Sequence, residues 1–291
     1  MLVFPLRNSR EMGKSIAKAA KAKLGNLKSD NFPDGEFYIR FLDSVKGKEI
    51  ILVQSMSPNP NDSLLELYWA GITAKQLGAE KVIGVAPYLA YMRQDKVFNS
   101  GEALSNHIMA HLLNTSLDKI VTVDPHLHRI RNLAELFHIE RKKITANNDI
   151  ANYISKKFSA KNTVIIGPDS ESSQWAAVIA EKIGFESSIF EKQRHSARNV
   201  KVNVVKELAW KGKNVVIVDD IISSGHTMIE AIKTVRKKEA KSVHCICIHG
   251  IFAENAHAKM LKAGANTITS CNTIAHKSNK IDLAKTIVEN W

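Results

Sequence analysis

The feature that most constrains the fold is a regular alternation of short aliphatic runs with longer helical stretches. The aliphatic runs are continuous in Val, Ile and Leu, which is typical of parallel strands covered by helices on both faces. Buried strands are predicted at residues 50–53, 82–86, 120–123, 164–167, 187–190, 215–218, 243–248 and 267–269. Helices are predicted near residues 63–77, 103–113, 150–158, 173–183, 227–237, 254–262 and 281–290. This alternation predicts βαβ units and therefore an α/β fold with a mostly parallel sheet.

The alternation also contains a faint internal repeat. A strand, a polar loop, a helix and a second strand follow one another at 50–86 and again at 215–248. Each half then continues through another helix to another strand. Two copies of one α/β unit, joined near 140–150, account for this pattern, and chance similarity between βαβ units is the alternative. We therefore expect two domains, at residues 1–145 and 146–291.

The charge and composition restrict the classes of molecule that the chain is expected to bind. The chain has 291 residues, with 41 basic against 29 acidic side chains and a formal net charge of +12. Such a charge favours anionic partners, including nucleotides, sugar phosphates, nucleic acid and acidic membranes. Much of it is Lys on predicted helix faces, and no basic run is interleaved with aromatics as in nucleic-acid-binding segments. We expect small anionic ligands and neither nucleic acid nor a membrane as a partner.

The cysteines and the apolar runs indicate the compartment. Cys245, Cys247 and Cys271 are odd in number, and two of them lie inside an apolar run. They are therefore expected to be core thiols in a reducing compartment. No apolar run approaches the roughly 18–20 residues of a membrane span, and no secretory pattern precedes the short strand at 2–4. We expect a cytoplasmic protein.

The most specific segment is a polar turn that follows the strand at 215–218. Two adjacent acids, Asp219 and Asp220, stand at the predicted strand end, and a turn with Gly225 leads into a helix. Such a turn offers backbone N–H groups, hydroxyls and a helix N-terminus to a phosphate, and glycine permits close approach of the backbone. The acids would repel a bare phosphate but suit sugar hydroxyls or bound Mg²⁺. The segment therefore predicts a ribose-phosphate site.

The alternative interpretation of this turn is a capped helix start. Ser223 or Ser224 would then be the N-cap residue, and the acids would interact with the helix dipole. This explains the serines but leaves two acids before a glycine turn unexplained.

Three other segments bear on the reaction. The 32–36 segment has residues that strongly favour a turn, and it lies ahead of a short strand at 37–40. The 91–96 segment follows the strand at 82–86. Arg and Gln side chains in the latter can donate to phosphate or to a purine edge. At the end of the 120–123 strand, Asp124 and His126 suit a metal or phosphate role as well as a structural one.

Together these segments resemble the ribose-phosphate pyrophosphokinases in order and spacing across nearly the whole chain. The resemblance implies two tandem type I phosphoribosyltransferase-like domains, each a mostly parallel sheet flanked by helices. It implies transfer of the β,γ-diphosphate of Mg-ATP to the C1 hydroxyl of ribose 5-phosphate, giving 5-phosphoribosyl 1-diphosphate and AMP. It also implies Mg²⁺ as the cofactor and a homo-oligomer of two or more subunits.

The resemblance assigns roles residue by residue. It assigns ATP to Phe32, Asp34, Gly35, Glu36, Arg93 and Gln94. It assigns ribose 5-phosphate to Asp219, Asp220, Ser223, Ser224, Gly225, His226 and Thr227. It implies metal ligands or water-holders at His126, at Asp169 and, second to these, at Asp124. It implies catalytic roles for Lys192 and Arg194, on a polar loop predicted at 191–199.

The chain departs from the family pattern at several positions. Many bacterial and eukaryotic members carry an acid where Ser223 stands and a smaller residue where His226 stands. Ser223 and the 99–102 stretch look nearer to archaeal-type members. Two other functions compete with the synthetase: a phosphoribosyltransferase that consumes the product, and a non-catalytic regulator on the same fold. The ATP-type segments and the second domain copy argue against the former, and the retained Lys192 and Arg194 argue against the latter.

Overall fold

Two structural units make up the chain. The computed structural model describes residues 1–97, 99–127, 130, 132–170, 172–194, 200–204 and 210–291, and at 173, 191–194 and 200–204 it describes the backbone only. The first unit contains Met1–Thr145, Thr273–Ala275 and Leu283–Trp291, and the second contains Ala146–Asn272 and His276–Asp282. Two short C-terminal segments thus belong to the first unit, whereas the sequence-based division left them in the second domain.

The first unit contains a six-stranded sheet and a separate hairpin. Its strands are β1 (Leu2–Pro5), β2 (Lys23–Leu24), β3 (Leu27–Asn31), β4 (Phe37–Phe41), β5 (Glu49–Val53), β6 (Lys81–Ala86), β7 (Lys119–Val123) and β8 (Glu140–Ile144). Its first helices are α1 (Arg10–Ala19), α2 (Pro60–Gln76) and α3 (Ser105–Ser116). The sheet order is β2-β1-β5-β6-β7-β8, with every pair parallel. Strands β3 and β4 pair only with each other and are antiparallel.

The second unit contains a seven-stranded sheet. Its strands are β9 (Thr163–Gly167), β10 (Glu186–Arg194), β11 (Val200–Val204), β12 (Asn214–Ile222), β13 (Ser242–Gly250), β14 (Thr267–Cys271) and β15 (Asn279–Ile281). Its helices are α4 (Asn147–Lys157), α5 (Ser173–Ile183), α6 (His226–Lys237) and α7 (Ala256–Lys262). The order is β11-β10-β9-β12-β13-β14-β15, parallel except for β10 with β11. Among the described residues, no helix is long and apolar enough to cross a membrane.

The two sheets have the same connectivity. The order β2-β1-β5-β6-β7-β8 in the first unit matches β10-β9-β12-β13-β14-β15 in the second. The central strands of both are the buried aliphatic runs, and in the second unit they pack with α6 and α7 around a core of Val, Ile, Cys and Met side chains. The internal repeat of the sequence thus corresponds to a repeated α/β topology.

The C-terminal helix α8 (Ala284–Asn290) completes the first unit. It packs against α1 and β8, as α4 packs against α5 and β15 in the second unit. Its buried face includes Ala284 and Ile287. Each sheet therefore has a helix on the corresponding face, but the helix of the first unit comes from the far end of the chain.

Three strands of the first unit have no aliphatic run, and the sequence patterns did not predict them. Strand β8 consists largely of exposed charged residues, and β3 has a polar composition with no fully buried side chain. β2 is a two-residue strand whose residues are both exposed. β2 and β8 are edge strands of the main sheet, where charged residues reduce pairing with other chains.

We expect Ile287→Ala to destabilise the first unit by about 2–5 kcal/mol, because Ile287 is fully buried and its truncation leaves a cavity. Hydrogen exchange followed by mass spectrometry should be faster in α1 and β1 and unchanged in β12 and β13. Lys285→Ala is the control, since the Lys285 side chain is 82% exposed. Equal loss of protection in both units would contradict the assignment of α8 to the first.

Candidate functional site

Two adjacent carboxylates are buried in the second unit near the carboxyl end of β12. Asp219 is 9% and Asp220 is 4% exposed. The strand predicted at 215–218 ended before them, but β12 continues to Ile222 because it keeps pairing with β13. Its pairing with β9 ends at Ile217. The acids therefore lie inside a strand that has a paired neighbour on one side only.

Asp169 brings a third carboxylate to the same edge. It follows β9, and its Oδ1 accepts from the Ser172 N–H at 3.1 Å. The pKa of Asp219 is raised well above its ordinary value, first by burial and then by the negative charges of Asp220 and Asp169. A hydrogen bond of 3.0 Å from the Asp220 N–H to Asp219 Oδ1 opposes this shift. Burial and repulsion among these acids thus disfavour ionised Asp219, and a cation that kept most of its own water ligands would offset that repulsion.

The turn after β12 leads into α6 without a side-chain cap. Gly225 occupies the N-cap position with φ +75°, and no side chain caps the helix. Ser224 Oγ is instead hydrogen bonded to His226 Nδ1 at 2.8 Å. The interpretation of Ser223 or Ser224 as a cap is therefore wrong. Since glycine adopts this φ readily and other residues do not, the 223–227 turn depends on Gly225.

Helix α7 and the residues before it lie directly against this turn. A Cβ at Gly225 would stand 3.1 Å from Ala256 Cβ. Phe252 contacts the rings of His257 and His276, at centroid distances of 5.4 and 4.6 Å. The pKa values of both histidines are lowered, mainly by burial. The turn thus rests on a packed surface that limits its movement.

The corresponding loop of the first unit has a different structure. Gln54 and Ser55 follow β5 where the two acids follow Val218, and both are buried. Gln54 Nε2 donates to Glu66 Oε2 at 2.6 Å, and Ser55 Oγ donates to the Thr273 carbonyl. In this repeat, the polar side chains after the strand therefore form hydrogen bonds within the protein. Of the two repeats, the second is the one with acids before a glycine turn.

The residues predicted at the end of β7 lie together in the first unit. Asp124 is 7% exposed and adopts φ +32°, which is a strained conformation for a non-glycine residue. Its N–H donates to the Ile144 carbonyl at 2.8 Å, and half-buried His126 follows two residues later. Across the described ranges, no group of three His, Cys, Asp or Glu side chains could hold a metal by itself. Asp169, the other predicted metal residue, belongs to the second unit.

The 32–36 segment forms the tip of the β3–β4 hairpin. The Phe32 N–H donates to the Glu36 carbonyl at 2.8 Å, and the Gly35 N–H donates to the Phe32 carbonyl at 2.9 Å. Asp34 Oδ1 accepts from the Glu36 N–H at 3.2 Å. The ring of Phe32 is 50% exposed and meets Tyr38 edge to face. The turn thus presents an exposed aromatic ring and two acids.

The 91–96 segment, which contains Arg93 and Gln94, is held in place by contacts of several of its residues. Tyr91 has φ +66°, and its hydroxyl donates to Asn61 Oδ1 near the start of α2. Met92 is buried, and Gln94 Oε1 accepts from Ser105 Oγ at 3.3 Å. Arg93 between them is exposed. These contacts orient Arg93 and Gln94 by means of residues that the sequence analysis did not select.

Lys192 and Arg194 do not lie on a loop. Strand β10 continues to Arg194 and pairs with β11, with Lys192 opposite Val202 and Arg194 opposite Val200. The loop predicted at 191–199 was therefore wrong over 191–194, because antiparallel pairing extends the strand. The side chains of Lys192 and Arg194, and all of 195–199, lie outside the described part of the chain.

Three further residues, Gln54, Glu66 and Asn61, were not predicted from the sequence. Glu66 is only 1% exposed and lies on the buried side of α2. An acid among the apolar residues Leu64, Leu65 and Leu67 of the predicted helix was the one available signal. Asn61 carried no signal, since its role depends on the position of Tyr91.

Comparisons with known proteins agree over the full chain. One matching family model describes the N-terminal domain of ribose phosphate pyrophosphokinase and spans residues 1–116, and another describes a phosphoribosyl transferase domain and spans 134–284. A ribose-phosphate pyrophosphokinase of Methanopyrus kandleri is 32% identical, over 99% of this chain and 98% of that protein. One from Pyrococcus furiosus is 37% identical, over 92% and 93%. The crystal structure of a phosphoribosylpyrophosphate synthetase from Mycobacterium smegmatis matches with a TM-score of 0.87 and 26% identity, over 99% and 96%.

We expect Asp219→Asn to raise the free energy of unfolding by about 0.5–2 kcal/mol at pH 7–8 in metal-free buffer, because it removes repulsion from Asp220 and Asp169. The raised pKa means that the ionised form opposes folding. The gain should therefore be present above the folded-state pKa and disappear as the pH falls below about 4, where the carboxyl is protonated in both states. Urea unfolding measures both effects. Glu181→Gln, an exposed acid of the same unit, is the control, and a destabilised Asp219→Asn protein would contradict the repulsion.

Proposed function

Because the chain belongs to the ribose-phosphate pyrophosphokinase family and is therefore a diphosphotransferase that forms phosphoribosyl diphosphate, we propose that its second unit binds ribose 5-phosphate at the 223–227 turn. The observation that carries this proposal is the buried pair Asp219 and Asp220 directly before an uncapped glycine turn. The turn offers a helix N-terminus and hydroxyls to the 5-phosphate. The two acids suit the ribose hydroxyls, which donate hydrogen bonds to carboxylates.

ATP is the proposed diphosphate donor, held by the segments of the first unit. The exposed ring of Phe32 suits stacking on a purine. Arg93 offers a guanidinium to phosphate oxygens, and Gln94, oriented by Ser105, offers an amide N–H. Asp34, Gly35 and Glu36 shape the turn that carries Phe32. These assignments come from the family resemblance, and the geometry of each segment is compatible with them.

Mg²⁺ is the proposed cofactor, and the acidic edge of the second unit fits a hard cation. Carboxylate oxygens are its preferred protein ligands, and burial together with the negative charges of Asp220 and Asp169 raises the pKa of Asp219. Within the second unit we propose Asp169 as a magnesium ligand or water-holder, and within the first unit we propose His126 and, second to it, Asp124 for such a role. When bound, the ion neutralises phosphate charge during transfer.

The reaction follows from positioning and charge. The C1 hydroxyl oxygen of ribose 5-phosphate attacks the β-phosphorus of ATP. The bond between that phosphorus and the oxygen bridging to the α-phosphate breaks, AMP departs with that oxygen, and the hydroxyl proton passes to solvent. Phosphoryl-type transfer needs little covalent help from the protein, so orientation of the two substrates dominates. We propose that Lys192 and Arg194 meet the charge that develops on the transferred group and on AMP.

The exposed apolar side chains of the first unit support a homo-oligomer. Leu65 and Trp69 are 41% and 44% exposed, and four residues apart on α2 they share one helix face. Large exposed apolar groups on one face are typical of subunit contacts. The buried free thiols of Cys245, Cys247 and Cys271 suit the proposed cytoplasmic location.

Incubation with Mg-ATP and ribose 5-phosphate, followed by phosphorus NMR, tests the reaction. We expect equal amounts of AMP and phosphoribosyl diphosphate, and neither product when ribose 5-phosphate is left out. ADP in place of AMP would show transfer of a single phosphoryl group and contradict diphosphate transfer. Steeply salt-dependent DNA binding without AMP release would favour the regulator instead.

We expect Lys192→Ala to lose on the order of 10²–10³-fold in kcat, as when one charge-stabilising donor is removed. The circular dichroism spectrum and Tm should stay close to the parent values. Lys161→Ala, at an exposed position of the same unit, controls for loss of a positive charge. Near-parent turnover in Lys192→Ala would remove this assignment.

Trp69→Lys should shift the protein toward the monomer mass of 32.3 kDa in light scattering coupled to gel filtration, because it places a charge in the proposed apolar contact. Gln76→Lys adds the same charge to an exposed position of the same helix and should keep the parent mass. A parent protein that is monomeric at all concentrations would contradict the proposal.

A further inference from the structure

The β3–β4 hairpin needs support from outside its own strands. It is a two-stranded pair that joins neither main sheet, and isolated two-stranded hairpins are marginally stable in water. At its base, Phe41 packs edge to face on buried Phe4 at 4.9 Å. The 32–36 turn lies at the opposite end of the hairpin. A second contact nearer the tip is therefore needed to hold the turn in one position.

Glu66 provides that contact from helix α2. Its side chain is 1% exposed, and both carboxylate oxygens accept hydrogen bonds. Ser29 Oγ on β3 donates to Oε1 at 2.5 Å, and Gln54 Nε2 donates to Oε2 at 2.6 Å. The Arg7 N–H also donates to Oε1, at 3.4 Å. One buried carboxylate thus joins the hairpin to the end of β5 and to the loop after β1.

Arg7 extends this contact to the second strand of the hairpin. Its Nε lies 3.8 Å from Glu66 Oε1, and its Nη2 donates to Ser29 Oγ at 3.3 Å. Its guanidinium lies over the ring of Phe37, 5.1 Å from the centroid. Phe37 pairs with Asn31, the residue immediately before Phe32. The contact therefore reaches the last pair of the ladder before the 32–36 turn.

The same helix also holds the 91–96 segment. Near its start, Asn61 accepts a hydrogen bond from the Tyr91 hydroxyl. Asn61 and Glu66 are five residues apart on α2, which spans about 1.5 Å of helix axis per residue. Both segments that carry the proposed ATP residues are thus tied to one short stretch of α2.

The geometry points to Glu66 as a positioning residue for the nucleotide: through Ser29 and Arg7 it holds the hairpin, and hence Phe32, against α2. This inference rests on the proposed assignment of the 32–36 turn to ATP. Glu66 acts through other side chains and touches no reacting atom. Its replacement therefore affects how well ATP is held and leaves the binding of ribose 5-phosphate unchanged.

Glu66→Gln is the first test, because both oxygens of Glu66 accept hydrogen bonds and an amide places a donor against Gln54 Nε2 or Ser29 Oγ. We expect the KM for ATP to rise on the order of tenfold, as for other residues that orient a ligand-binding group, with kcat changed less than about threefold. The KM for ribose 5-phosphate should not change. Amide hydrogen exchange should become faster in β3 and β4 and stay at the parent rate in β5 and β6.

Two further variants test the contact with less risk to the core. Ser29→Ala removes only the hydroxyl and should show the same KM pattern, whereas Ser29→Thr keeps a hydroxyl and should restore the parent value. Asp62→Asn, an exposed acid of the same helix, is the matched control and should be unchanged in both measurements. If Glu66→Gln fails to fold, the two Ser29 variants give the answer.

The outcomes separate this inference from the proposed function. If Phe32→Ala leaves the KM for ATP unchanged, the assignment of the turn to ATP fails, while hairpin exchange still reports on Glu66. If Phe32→Ala raises that KM but Glu66→Gln and Ser29→Ala change neither KM nor hairpin exchange, the positioning role is overturned. Faster exchange throughout the first unit in Ser29→Ala would also overturn it, since the contact would then support the whole unit.

Discussion

The central constraint in this structure is the burial of two adjacent carboxylates in a strand. Like charges that are removed from water repel each other and lose hydration, so their ionised forms oppose folding unless a cation or hydrogen-bond donors compensate. In β12, backbone N–H groups donate to Asp219 and Asp220, while burial and the negative charges of Asp220 and Asp169 raise the pKa of Asp219. A protein can retain such an arrangement at the expense of stability when the acids serve its function.

The two repeats show how the same topology can carry different tasks. Their strand orders match, yet the loop after β5 has Gln54 and Ser55 in place of the two acids. Neutral side chains can be satisfied by internal partners, and in the first unit they are. The acids of the second unit repel each other when both are ionised. The loop after β5 is thus held by hydrogen bonds within the protein, whereas the like charges after β12 favour a role in binding a ligand.

Much of the fold could be predicted from the sequence, because the central strands are continuous aliphatic runs. Strands such as β5, β6 and β9 begin within one residue of their predicted positions. The hairpin strand β3 and the edge strand β8 could not be found this way, since neither is covered on both faces and their residues are polar or charged. A hydrophobic sequence pattern indicates a buried strand, and a strand that is not buried has no such pattern.

The functional site could be predicted where reactive side chains and turn-forming residues occur together in the sequence. It was much less predictable where contacts between distant residues determine the role of a side chain. The acids and Gly225 could be selected from their order alone. Ser63 and Glu66 have the spacing of an N-terminal capping box, but α2 begins at Pro60 and Glu66 accepts hydrogen bonds from a hairpin 37 residues away in sequence. Phe252 and Asn255 adopt positive φ angles without being glycine. Such features depend on neighbours that only the folded chain provides.

The placement of α8 has a consequence for how the chain matures on the ribosome. Synthesis proceeds from the N-terminus, and domains generally fold in that order as they emerge. Here the first unit includes Leu283–Trp291, so the face of its sheet under α8 stays uncovered until those residues have been synthesised. The second unit is complete at Asp282 and can fold earlier. The half of the protein that is made first is therefore the half that is completed last.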